Sequence, residues 1–215
     1  ILRTRFPAAP NGHETAEKGL LRALGDNLRS VLGNRRAAAW LLFLFVLALI
    51  ETPALFIPVW LADEVGLSQA MVGVYQVVDI VASILGLVAL ERWLARADSG
   101  RILILASLAL LILYPVWLFA PGVWPRFVLA APINFAFVFF WPIGKAQLLA
   151  SAPGRAGAVT AVSAVFALVP LPLLFGLLAE RAGLTPAMLA VTLASLLIML
   201  GLTTRPGFRS LRQTG

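Results

Sequence analysis

The stretch AAAWLLFLFVLALIETPALFIPVWLA, residues Ala37 to Ala62, decides the fold, because it runs for longer than a helix needs to cross a bilayer and carries one charge, Glu51, near its middle. About 20 apolar residues suffice to span the hydrocarbon layer as a helix. The next apolar stretch, QAMVGVYQVVDIVASILGLVAL from Gln69 to Leu90, repeats the design with Asp79 at its centre. A carboxylate at bilayer depth costs several kcal/mol or more on most scales, so such groups normally turn toward a cavity, a partner or a transport path.

Composition agrees with this reading. The 215 residues are 60% hydrophobic and 13% charged, with a mean hydropathy of +0.93. Soluble domains carry roughly 25% charged residues. A formal net charge of +7 raises the question of a nucleic-acid partner, but the basic residues fall in the tails and in certain short loops, which reads as membrane orientation instead. The chain has no Cys, which excludes disulfides, thiolate metal sites and cysteine nucleophiles. The one histidine, His13, lies in a polar tail, so an intramembrane protease and a metal or heme site lack their ligands. No enzyme and no cofactor is expected.

Residues 1 to 36 contain Arg3, Arg5, Lys18, Arg22, Arg29, Arg35 and Arg36 among Pro7, Pro10, Asn11 and Gly12. We expect a cytosolic linker there, with an amphipathic helix over Gly19 to Leu32 on the membrane surface. A start at Ile1 reads as a piece of a longer polypeptide. Six apolar spans are predicted at about Ala37 to Ala62, Gln69 to Leu90, Ile102 to Pro121, Trp124 to Leu149, Gly157 to Ala179 and Pro186 to Thr203, followed by a cytosolic tail over 205–215. They are apolar all round, without the alternation of a barrel strand, so the fold class is an all-α polytopic membrane protein. With the amino terminus inside, the inner connections hold Arg92, Arg96, Arg101, Arg155, Arg205, Arg209 and Arg212 besides the seven of the tail. The outer ones hold only Arg126 and Arg181. Both termini are therefore expected in the cytosol.

Polar residues are distributed unevenly among the spans. Glu51 and Asp79 mark the first two, Asn134, Lys145 and Gln147 the fourth, and Thr160 and Ser163 the fifth, whereas the third and sixth carry no charge in their interiors. A three-plus-three inverted repeat accounts for this if the first, second, fourth and fifth helices line a cavity while the third and sixth face lipid. In the second helix Val72, Tyr75, Gln76, Asp79, Ser83 and Gly86 share one face, and in the fourth Asn134, Trp141 and Lys145 align at i, i+7 and i+11. These two stripes are expected to face each other across a wet cleft. Two readings are open for Lys145, an inward partner or an ammonium that snorkels to the headgroups. Two are likewise open for Glu51 and Asp79, a working site or a structural bond between helices.

Pro53 and Pro58, Pro132 and Pro142, and Pro170 and Pro172 each remove a backbone hydrogen bond in helices of the proposed lining set. Pro115 in the third span is the exception. Gly154, Gly157, Ala158 and Ala161 offer a small-residue surface for close packing.

Several local motifs join this pattern. Gly86 followed by Glu91, Arg92, Arg96, Asp98, Gly100 and Arg101 looks like a loosened copy of the cytosolic loop motif of the major facilitator superfamily, and residues Ala152 to Gly157 are similar to the loop entering a later helix in its drug and sugar efflux members. Gly176 to Gly183, with Glu180 and Arg181, looks like the exit of that family's eleventh helix. Over residues 30 to 210 the chain thus resembles the carboxy-terminal half of such a transporter. The resemblance implies helices seven to twelve of a twelve-helix carrier in the plasma or inner membrane, a missing six-helix half as partner, and a small-molecule substrate bound between the halves. It also implies an ion-pair latch among Glu91, Arg92, Arg96, Asp98 and Arg101. Glu51 and Asp79 become candidates for proton coupling, and Tyr75 and Trp141 for stacking on a sugar or a flat drug; packing alone is the other reading of these aromatics. From other classes, a permease subunit of an ATP-driven transporter and a standalone six-helix carrier or channel remain alternatives.

Overall fold

In the computed structural model, which describes residues 29, 33–152 and 170–204, every regular element among the described residues is an α-helix. These are α1 (Arg35–Ala54), α2 (Ile57–Asp63), α3 (Gln69–Leu94), α4 (Ser99–Leu118), α5 (Val123–Phe137), α6 (Phe140–Ser151), α7 (Leu171–Ala182) and α8 (Leu184–Thr203). Five are long and apolar enough to cross a membrane when α1 with α2, and α5 with α6, are each taken as one broken helix: Arg35–Asp63, Gln69–Leu94, Ser99–Leu118, Val123–Ser151 and Leu184–Thr203. They coincide with five of the six predicted spans, and α7 is the second part of the remaining one. Most of the predicted linker and its amphipathic helix, the tail, and Gly154, Arg155, Gly157, Ala158, Thr160, Ala161 and Ser163 lie outside the described residues, while Arg35 and Arg36 at the end of that linker form the first turn of α1.

Local chemistry sets the helix ends. Asn34 caps α1, its side-chain oxygen accepting from the Arg36 and Ala37 N–H groups at 3.0 and 3.3 Å. Its amide nitrogen donates to the Ser151 carbonyl at 2.8 Å, tying the start of the first long helix to the end of the fourth. Gly122 and Gly183 sit at φ +77° and +89°, a left-handed backbone that L side chains rarely adopt, and there the chain turns into α5 and α8.

Both broken helices owe their interruption to proline. Pro53 lies in the last turn of α1 and Pro58 in the first turn of α2, with Leu55 and Phe56 between the two helices. In the fourth long helix the break falls at Val138 and Phe139, and Pro142 has no N–H to offer the Val138 carbonyl that an unbroken helix would bond. The break lets the two halves lean on different neighbours. α5 packs on α3 and α4, and α6 packs on α1; α8 packs on α1, α4 and α7.

The two tightest seams are made by glycines. A Cβ on Gly86 of α3 would stand 2.6 Å from the Phe135 carbonyl oxygen of α5, and one on Gly144 of α6 would stand 2.7 Å from Leu44 and 3.2 Å from Phe43 of α1. In lipid, where apolar surface gains nothing by leaving solvent, such close backbone approach is what binds helices. Gly86, which opens the loop motif of the sequence analysis, is thus also part of a helix seam.

α4 and α8 pack against each other and still leave open apolar faces, with Leu105 and Ile112 on one and Leu197 and Ile198 on the other. The broadest open apolar face among the described residues is on α3, at Val77, Ile80, Val81, Ile84, Leu85 and Val88. A helix expected to line a cavity therefore turns only one stripe inward.

We expect Gly86→Ala to destabilise the protein by about 2 kcal/mol, because the new methyl meets backbone rather than a yielding side chain. Gly73→Ala, whose methyl meets nothing within 4 Å, should be neutral or stabilising by up to about 1 kcal/mol. Equilibrium unfolding in mixed micelles compares the two.

Candidate functional site

Glu51 lies near the end of α1, two residues before Pro53, and its carboxylate accepts a hydrogen bond from the Trp141 indole N–H in the first turn of α6. One turn further along α6, the Lys145 ammonium sits 5.0 Å from the centre of the Trp141 ring. The indole thus stands between the two charges, bonding the carboxylate through its N–H and the ammonium through its face. Lys145 leans toward the beginning of α6, away from the Ser151 end. The side chain is exposed and lies over the Trp141 ring.

Asp79 sits on the buried stripe of α3 and accepts from the Asn134 side-chain amide of α5. The same Asn134 nitrogen donates back to the Ala130 carbonyl at 3.0 Å, which fixes its rotamer. Each carboxylate is therefore satisfied by a neutral donor, and both donors come from the one broken helix, Asn134 before the break and Trp141 after it. Glu51, Asp79, Asn134 and Trp141 are half-buried, and Gln76 and Lys145 are exposed beside them. Within the α3 stripe, Gln76 falls at the open edge.

Tyr75 is placed differently from its predicted role. It is 2% exposed, with its ring edge-on to Phe127 at 5.5 Å and 6.2 Å from Trp117, so it is walled in and offers no face to a sugar or drug. Beside the Asp79–Asn134 bond, an open apolar groove of about 440 Å³ runs between α3 and α5, lined among others by Val78, Ala82, Pro132 and Phe135.

The connection between α3 and α4 gathers the predicted latch residues within a few positions. Glu91 and Arg92 close α3, Arg96 is in the turn, and Arg101 opens α4; all four are exposed. Asp98 occupies the N-cap position of α4, half-buried, its carboxylate folded to within 3.2 Å of where a Gly100 Cβ would be. An acid at that position faces the positive end of the helix dipole.

A further polar cluster, at the opposite end of the bundle from Asn34, escaped the sequence reading. The Trp60 indole N–H donates to Glu64 at 3.1 Å and to Thr185 at 2.7 Å, and the Thr185 hydroxyl donates to Glu64. The Arg126 guanidinium lies 5.2 Å from the centre of the Trp60 ring. The i, i+4 spacing of Trp60 and Glu64 was visible in the sequence, but the partners on α5 and α8 were not. Among the described residues no three His, Cys, Asp or Glu side chains gather where they could share a metal ion.

No family model matches the chain, and no curated protein or solved structure is detectably similar to it.

Glu51→Gln and Trp141→Phe are expected to couple in a double-mutant cycle by on the order of 1 kcal/mol of unfolding free energy, and Lys145→Met to couple with Trp141→Phe in the same sense. Additive effects of the Lys145 and Trp141 changes would return Lys145 to the headgroups.

Proposed function

We propose that this chain is the carboxy-terminal six-helix half of a secondary transporter of major facilitator type, in the plasma or inner membrane with both termini in the cytosol, and that it takes part in proton-coupled export of a small organic molecule. The observation that carries the proposal is the pair of half-buried, mid-helix carboxylates, Glu51 and Asp79, each held by a neutral donor from the same broken helix. A carboxylate paired to Arg or Lys is locked in its charged form by its partner. One bonded to an amide or an indole can take up and release a proton without stranding a cation, which is what a coupling group has to do.

The surroundings support the reading. Gln76, Lys145 and the edge of Trp141 stand open next to the acids, offering hydrogen bonds, a positive charge and an aromatic face to a substrate held against a second half. Asp98 at the start of α4, with Arg92, Arg96 and Arg101 within a few positions in sequence, suits the conformational latch of such carriers. The three-plus-three inverted repeat belongs to this proposal as well, with the break at Val138 and Phe139 as its counterpart to the break at Leu55 and Phe56.

Asp79→Asn in the full-length protein tests the assignment. The substitution keeps the size of the side chain and removes its titration, so pH-driven transport in everted vesicles should lose its dependence on the proton gradient while the protein remains folded. Unchanged coupling would remove Asp79 from the mechanism and leave Glu51 as the next candidate.

A further inference from the structure

The groove between α3 and α5 lies at a particular depth. Val81, Ala82 and Leu85 of α3 and Ala131, Pro132 and Phe135 of α5 line about 440 Å³ of open space, and every side chain around it is apolar. Val81 falls at the middle of Gln69–Leu94, so the groove sits at the level of the hydrocarbon core.

Charge is arranged unevenly along the same helix. Arg92 follows Leu85 by seven residues and Val81 by eleven, positions that share a helix face. At 1.5 Å per residue the longer interval is about 16 Å, close to half of the roughly 30 Å thickness of the hydrocarbon layer. Arg92 is exposed and thus stands at headgroup level on the stripe that lines the groove. Arg96, also exposed, lies four positions further on, while Glu91 is turned about 100° round the helix from Arg92. Trp93 beside them is 46% exposed and packs edge-on to Phe135 at 5.9 Å, which joins the groove wall to an aromatic ring at the interface. The other end of α3 has the opposite sign. Asp63 and Glu64 are exposed there, and Ser68 and Gln69 bring no cation.

We infer that the α3–α5 groove binds one anionic phospholipid, with an acyl chain in the groove and the phosphate against Arg92. An apolar helix from another protein would use the groove but not the arginine; an amphiphile with a negative head uses both. Guanidinium is well matched to phosphate because it can donate two parallel hydrogen bonds to its oxygens. The acids at the far end of α3 disfavour an anionic head in the opposite leaflet, so the groove is read from one side only. The site stands whatever the protein transports.

Photolabelling of the full-length protein in phosphatidylcholine nanodiscs tests the site. Trace phosphatidylglycerol or trace phosphatidylcholine, each with a diazirine at mid-chain, is added at equal mole fraction, and cross-linked residues are mapped by mass spectrometry. One arginine at headgroup level should give the anionic probe roughly fivefold more label at Val81, Leu85 or Phe135 than the zwitterionic one. At Ile112 of α4 and Leu197 of α8, on open faces away from the groove, the two probes should label alike. Arg92→Gln should equalise the probes in the groove, and Ala131→Leu, which fills it, should reduce the label from both. Equal groove labelling by the two probes in the unaltered protein, or a preference that survives Arg92→Gln, would overturn the inference. So would an unlabelled groove, the result expected where another protein segment or a second copy covers this face.

Discussion

A carboxylate in the middle of a hydrocarbon-length helix needs a hydrogen-bond donor from somewhere other than water, and in this bundle one helix provides it twice. Asn134 serves Asp79 and Trp141 serves Glu51, seven residues apart and on either side of the interruption at Val138 and Phe139. The need to satisfy those two acids sets where the fourth long helix runs. It passes between the first and the second, its earlier half against α3 and its later half against α1. Lose the donors and two half-buried carboxylates are left without their protein partners, at a cost of about 1 kcal/mol or more each.

Packing then fixes what the polar bonds begin. Gly86 draws α3 onto the backbone of α5 close to the Asp79–Asn134 bond, and Gly144 draws α6 onto Leu44 and Phe43 of α1 beside Trp141. Around these seams aromatic rings take up the irregular space: Trp40 edge-on to Phe43, Phe43 beside Phe140, and Trp93 edge-on to Phe135 and Phe139. The polar contacts choose the partners and the small residues set the distance.

Much of this architecture was legible in the sequence because length and hydropathy alone specify a membrane-crossing helix. The predicted Gln69 to Leu90 lies within Gln69–Leu94, and Trp124 to Leu149 within Val123–Ser151. The stripe on the second helix also held for Asp79, since a charge among apolar residues marks the inward face by itself. What did not come through was pairing. Helices that are apolar on every side carry no phase, so nothing in the pattern told that Trp141 would reach Glu51 or that Tyr75 would be enclosed by Phe127 and Trp117.

The interruption at Val138 and Phe139 has a geometric corollary. The two acid-bearing helices α1 and α3 are joined by way of α5 and α6, each gripping its own half, as well as through α8 and α4. The rod between them works like a pair of dividers: opening or closing its elbow by a few degrees changes the spread of the two arms while leaving each arm's grip untouched. The separation of Glu51 from Asp79 thus has, as one of its determinants, a short piece of backbone that contains neither of them.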